Sequence, residues 1–231
     1  MEKRQRVKNK SEVILSEIIN SFKACINEPH KKSYNIGVAL SGGVDSVVLL
    51  HALSQVKTKL KLKLNAIHIH HDLSPNADDW LTFCYNECQK LNITIKSEKI
   101  NIKQDLSMGI EAAARKSRYQ ALETYRKGIL ALGHHQNDQA ETLLLQLFRG
   151  SGLNGLAAMA AFDQKRFIWR PLLRIHREII EDSGAIFDDV CWLVRHHMNA
   201  HFYATGKLNS ENLTNELENH NLFNQLMLFQ K

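Results

Sequence analysis

Between residues 11 and 27 (SEVILSEIINSFKACIN), Val13, Ile14, Ile18, Ile19, Phe22 and Ile26 recur at helical spacing, and Pro29 follows as a breaker. That pattern predicts one amphipathic helix. From Tyr34 the rhythm changes. Short apolar runs rich in β-branched residues, at 34–40 (YNIGVAL), 64–70 (LNAIHIH), 93–97 (ITIKS) and 128–133 (GILALG), alternate with periodic stretches at 45–57, 77–92 and 110–126. Strand, helix, strand at this cadence predicts an α/β fold, a parallel sheet with helices on both faces. Ligands of such sheets bind beyond the carboxyl ends of the strands, where the strand order reverses. The places to inspect are therefore just after residues 40, 70 and 133. Further on, Val190, Leu193 and Val194, then Leu213 and Leu217, then Leu222, Phe223, Leu226 and Met227 predict two or three amphipathic helices.

Composition narrows the class. The 231 residues are 44% hydrophobic and 23% charged with 11 Gly and 3 Pro, unlike a disordered or collagenous chain. Thirty Lys and Arg against 24 Asp and Glu give a charge of +6, which permits a polyanionic partner without requiring one. Val47 to Ala52 is broken by His51, and the longest unbroken apolar run is Leu156 to Phe162. It is far shorter than the roughly 20 residues of a membrane span, so the protein reads as cytoplasmic with no membrane partner. Cys25, Cys84, Cys88 and Cys191 include no C-x-x-C pair, which argues against a zinc ribbon or a thioredoxin-like redox site.

Each of the three strand ends carries unusual residues. After Leu40 comes Ser41-Gly42-Gly43-Val44-Asp45-Ser46, leading into VVLLHAL. Two glycines let the backbone approach a ligand, and the unpaired amides of the helix's first turn suit phosphate oxygens. This loop matches neither G-x-x-x-x-G-K-[ST] nor G-x-G-x-x-G. The second strand ends in His68-Ile69-His70-His71-Asp72-Leu73. No further ligand stands at a zinc-site spacing, so His70 reads as a nucleotide contact and His68 as a satisfied core histidine. The third end reads Gly133-His134-His135-Gln136-Asn137-Asp138-Gln139-Ala140-Glu141-Thr142, then LLLQLFRGSGLNGLAAM. Asp138 and Glu141 have a capping-box rhythm. Between these sites, Arg115 and Arg118 border the apolar stripe of a helix, placed to meet an anionic ligand.

SGGVDS resembles the signature of the PP-loop ATP pyrophosphatases. With HIHHDL, EAAARKSRY, the long block from Gly133 and Arg170-Pro171-Leu172-Leu173, residues 34–173 resemble one branch of that superfamily, the tRNA(Ile)-lysidine synthetases. The resemblance implies a parallel five-stranded sheet flanked by helices, with a catalytic domain over residues 1–173. It also implies ATP and Mg²⁺ as cofactors, and as partners free L-lysine and tRNA(Ile) with a CAU anticodon. In that reaction ATP adenylates the C2 oxygen of the wobble cytidine, and lysine then displaces AMP. The family's positions carry over to Ser41, Gly42, Gly43, Asp45 and Ser46 for ATP, and Val44 and His70 join them as nucleotide contacts. Asp45, Arg115, His134 and Asp138 are then catalytic, with Asp45 and Asp138 also the Mg²⁺ ligands. Arg118, Glu141 and Arg149 would contact substrate, with Asp138 or Glu141 handling the lysine amine.

Residues 174–231 depart from the family and form an atypical helical extension. Two alternatives follow. Thiolating relatives carry paired cysteines, for which Cys84 and Cys88 at i, i+4 are a poor substitute. A truncated or chimeric nucleotide-binding protein without tRNA-modifying turnover is the other.

Overall fold

A computed structural model describes residues 2–26, 33–70, 77–100, 110–150 and 158–181. Its elements are α1 (Glu2–Cys25), β1 (Tyr34–Ala39), α2 (Val44–Val56), β2 (Leu62–His70), α3 (Ala77–Lys90), β3 (Thr94–Lys99), α4 (Ile110–Tyr125), β4 (Ile129–Ala131), α5 (Gln136–Phe148), β5 (Phe162–Asp163), β6 (Ile168–Trp169) and α6 (Arg177–Glu181). The sheet order is β3-β2-β1-β4-β6-β5. Every neighbouring pair is parallel except β5 with β6. The expected five parallel strands are thus joined by a sixth, antiparallel edge strand. β5 and β6 have two residues each, too short to leave a period in the sequence.

The chain runs outward from β1 to β2 and β3, then crosses back to β4 on β1's other side. The order therefore reverses between β1 and β4, and a crevice opens where their carboxyl ends diverge.

Strand alternation feeds two hydrophobic layers. On one face Ile14, Ile18 and Phe22 of α1 pack with Val47, Leu50 and Leu53 of α2, with Ile36 and Val38 of β1, and with Trp169. On the other, Ile67, Ile69, Leu130, Leu132 and Ile168 meet Leu122 and Tyr119 of α4. Both sides of β2 are covered, so its last five residues, Ala66–His70, are all buried. The Trp169 indole donates to Ser21 Oγ at 2.9 Å, tying β6 to α1. Ile175 and Ile180 join the first of these cores, and α6 packs against α1 and α2. Of the expected helical extension only the part through Glu181 is described. The helices expected around Val190–Val194 and beyond Leu213 lie outside the described residues, as do Cys191, His71 and Asp72.

Candidate active site

The turn after β1 is organised around the Ser46 hydroxyl. It donates to Gly43 O at 2.8 Å, accepts from Ser41 N at 3.2 Å and lies 3.1 Å from Ser41 Oγ. Gly43 N in turn donates to Ser41 Oγ at 3.3 Å. The hydroxyls of Ser41 and Ser46 are thus engaged in fixing the turn itself. Gly43 is the N-cap of α2 with no side-chain cap, so Asp45 stands in the first helical turn rather than capping it. Gly42 has φ +89°, and a Cβ there would sit 2.6 Å from Cε3 of Trp80. A Cβ on Gly133 would sit 3.0 Å from the backbone of Asp45, which is how closely the end of β4 approaches the start of α2.

These approaches close a cavity of about 700 Å³ at the carboxyl edge of the sheet. Ser41, Gly43, Val44, Asp45, Ser46, His70, Arg115, Arg118, His134 and Asp138 all line it. Gly42 is buried behind them, against Trp80. Glu141 and Arg149 do not line the cavity. Both are exposed, and Arg149 follows Asp138 by eleven residues of α5, roughly 16 Å along a helix. The capping box also differs from the expected Asp138–Glu141 pairing. It is formed by His135 at the N-cap and Asp138, whose Oδ2 accepts from His135 N at 2.8 Å.

The His135 ring lies between two carboxylates, with Nε2 3.7 Å from Asp45 Oδ1 and Nδ1 3.5 Å from Asp138 Oδ2. Burial raises the Asp45 pKa, against the lowering fields of His135 and Arg177, and the Asp138 charge adds to the rise. Burial pushes His134 down to about 4, helped by the Arg170 guanidinium, so near neutrality its imidazole is uncharged. The His68 Nδ1 is 2.8 Å from Leu40 O, the satisfied core histidine that was expected. Asp45 Oδ1, His70 Nδ1, His134 Nδ1 and His135 Nδ1 are all buried without a hydrogen-bond partner among the described residues. Orphaned polar atoms of this kind are rare in folded interiors, and those of Asp45, His70 and His134 belong to residues lining one cavity.

Among the described residues no three His, Cys, Asp or Glu side chains are grouped to hold a metal by themselves. Mg²⁺ commonly takes only one or two carboxylates, with phosphate oxygens and water completing its shell. The unpartnered Asp45 Oδ1, facing Asp138 across His135, fits that donor set.

Sequence reasoning missed Trp80, Tyr119, Arg177 and Glu181, which also line the cavity. Arg177 Nε donates to Glu181 Oε1 at 2.8 Å, and Arg177 N donates to Asn137 Oδ1 at 3.3 Å. The i, i+4 Arg–Glu pair was legible, but it stood in a stretch read as an extension. Cys84 and Cys88 are buried in the α3 core, away from the cavity. No helix among the described residues is long and apolar enough to cross a membrane.

Residues 14–193 match the PP-loop domain family. The tRNA(Ile)-lysidine synthase of Neisseria meningitidis serogroup B is 49% identical over 148 residues, covering 63% of this chain and 34% of that protein. That of Haemophilus ducreyi is 38% identical over 214 residues, covering 91% of this chain and 48% of that protein. The chain thus spans about a third to a half of the length of these curated relatives. Among solved structures, the U34-tRNA thiolase NcsA from Methanococcus maripaludis with its 4Fe–4S cluster superposes with a TM-score of 0.61 at 19% identity, over 77% of this chain and 64% of that one. At that identity the likeness speaks to the fold alone.

Proposed function

We propose, for a chain that belongs to the PP-loop domain family across residues 14–193, that it binds ATP and ligates lysine to C2 of the wobble cytidine in tRNA(Ile) with a CAU anticodon. The observation that carries this reading is the single cavity shared by the glycine turn, Arg115, His134 and Asp138. Similarity to proteins named tRNA(Ile)-lysidine synthase supplies the substrate.

In the first step cytosine O2 bonds to the α-phosphorus of ATP, the α–β P–O bond breaks, and pyrophosphate leaves with the electron pair. In the second, the lysine ε-amine, relieved of a proton, bonds C2, the C2–O2 bond breaks, and AMP departs. The backbone amides around Gly42 to Asp45 hold the pyrophosphate, and Arg115 offsets charge growing on the α-phosphate. Asp45 and Asp138 are the residues that would hold Mg²⁺, which when bound supplies further charge neutralisation on the phosphates. Asp138 is preferred to Glu141 for receiving the lysine ammonium, because it faces the cavity and Glu141 does not. The uncharged His134 orients the base by hydrogen bonding rather than by charge. Arg118, Glu141 and Arg149 remain candidates for contacts with the larger RNA substrate.

A pyrophosphate-release assay tests the reading. Release is expected only with ATP and the CAU-anticodon tRNA together, with lysine carried into the RNA. Asp45→Asn should slow it by roughly a hundredfold or more, the scale on which one preorganised charge contact acts. The span of only a third to a half of the relatives favours a second reading, nucleotide binding without tRNA turnover. ATP affinity with no tRNA-dependent pyrophosphate would select it. Thiolation is disfavoured, since burial pushes the Cys84 thiol up and raises Cys88 to about 12, leaving neither as a ready thiolate.

A further inference from the structure

His70 ends β2, is 4% exposed and lines the cavity. Its Nε2 lies 3.1 Å from Asp78 Oδ1, in the first turn of α3. A carboxylate has no hydrogen to give, so Nε2 must donate and carries the ring's proton. In the neutral ring Nδ1 is then a bare lone pair, and Nδ1 is a buried atom that no group among the described residues satisfies. The pair has fixed a tautomer and left an acceptor without a donor.

Its surroundings give that acceptor a direction. β2 lies beside β1 in parallel register, so its carboxyl end neighbours the glycine turn at the spacing of adjacent strands, about 4.8 Å. Trp80, two residues beyond Asp78 on α3, rests against Gly42 of that turn. Turn, indole and imidazole therefore line the cavity together, and the Asp78 carboxylate holds the imidazole from outside that lining.

We infer that His70 Nδ1 accepts a hydrogen bond from the exocyclic amine of the adenine ring, and that the His70–Asp78 pair selects a 6-amino purine over a 6-oxo purine. This rests on the nucleotide-binding reading proposed above and adds which atom reads the base. A 6-oxo purine would set a carbonyl oxygen against the Nδ1 lone pair, two acceptors with no hydrogen between them. The wobble cytosine also carries an amine, and binding measured without RNA separates it from the purine.

The test is nucleotide affinity of the full chain in the absence of RNA, for ATP, purine riboside triphosphate and inosine triphosphate. The analogue lacking the amine should bind roughly tenfold more weakly than ATP, and inosine triphosphate more weakly again. Asp78 is 92% exposed, so Asp78→Ala leaves the core intact and should shrink the discrimination by freeing the proton to sit on either nitrogen. His70→Phe should abolish it, with ATP and purine riboside triphosphate then binding alike. Should His70→Phe not fold, the ligand series on the unaltered protein and Asp78→Ala still decide. Equal binding of all three nucleotides to the unaltered protein overturns the inference while sparing the nucleotide site. Discrimination that survives His70→Phe overturns it too. No binding of ATP at all sinks the parent reading along with it.

Discussion

At Gly42 the backbone φ of +89° and the 2.6 Å approach that a Cβ would make to Trp80 act together, so the position tolerates a hydrogen and nothing larger. Gly42→Ala should cost about 2–4 kcal/mol, the sum of left-handed strain and overpacking. Only the overpacking depends on the indole. Combining Gly42→Ala with Trp80→Ala should therefore be about 1–3 kcal/mol less damaging than the two losses added, as read from urea unfolding. Additive losses would mean that the contact carries no strain. His134 offers a second residue-scale test, because burial lowers its folded-state pKa to about 4. The unfolded chain takes up a proton near pH 6.5 that the folded chain refuses until about pH 4, so stability falls as pH drops through that window. His134→Gln has no such proton to refuse. Between pH 7 and 4.5 it should lose about 2 kcal/mol less stability than the unaltered protein, measured by urea midpoints.

At the scale of elements, α3 is held to α2 by a buried carboxylate. Glu87 is 1% exposed and lies 2.9 Å from His51 Nε2 and 2.6 Å from Lys90 Nζ. Burial alone would raise its pKa, but the hydrogen bonds from His51 and Lys90 outweigh that and leave it lowered. Its stabilisation is therefore complete above the unfolded value near 4.5 and is lost as pH falls through the lower folded value. Glu87→Ala should cost about 3 kcal/mol in calorimetry at pH 7 and flatten the acid limb of the stability curve. Because α3 carries Trp80 and Asp78, nucleotide affinity should fall with it. Most elements were legible because each repeats a period for long enough: α1 through Ile14, Ile18 and Phe22, β2 through its apolar run. What stayed hidden was short or was set by tertiary contact. β5 and β6 have no room for a period, and α6 is held by Ile180 packing onto α1 and α2 rather than by any helical signal of its own. The capping box was misassigned for a related reason. Glycine at 133 lets β4 close onto Asp45, which fixes where α5 begins, and no local propensity reports that approach.

Across the whole molecule, the candidate residues other than Glu141 and Arg149 come from four separate elements and intervening turns, yet they meet at one edge because parallel strands deliver all their carboxyl ends together. The strand ends alone were enough to locate that edge, while Arg177 and Glu181 reach it only because α6 folds back over α2. The opposite, amino edge holds another recess of about 520 Å³, lined by Lys23, Cys25, Tyr34, Phe162 and Phe167 among others. The two edges make a built-in control. A ligand that binds only the folded state at about a hundred times its Kd adds about 2.7 kcal/mol, which for a chain of this size shifts the thermal midpoint by roughly 5–10 °C. That stabilisation need not spread evenly, since local opening is suppressed first where the ligand makes contact. ATP with Mg²⁺ should therefore slow amide exchange at residues 41–46, 134–138 and 177–181 and leave 23–26 and 162–167 at their unliganded rates. Protection at the amino edge, with the glycine turn unchanged, would place the nucleotide at the wrong end of the sheet.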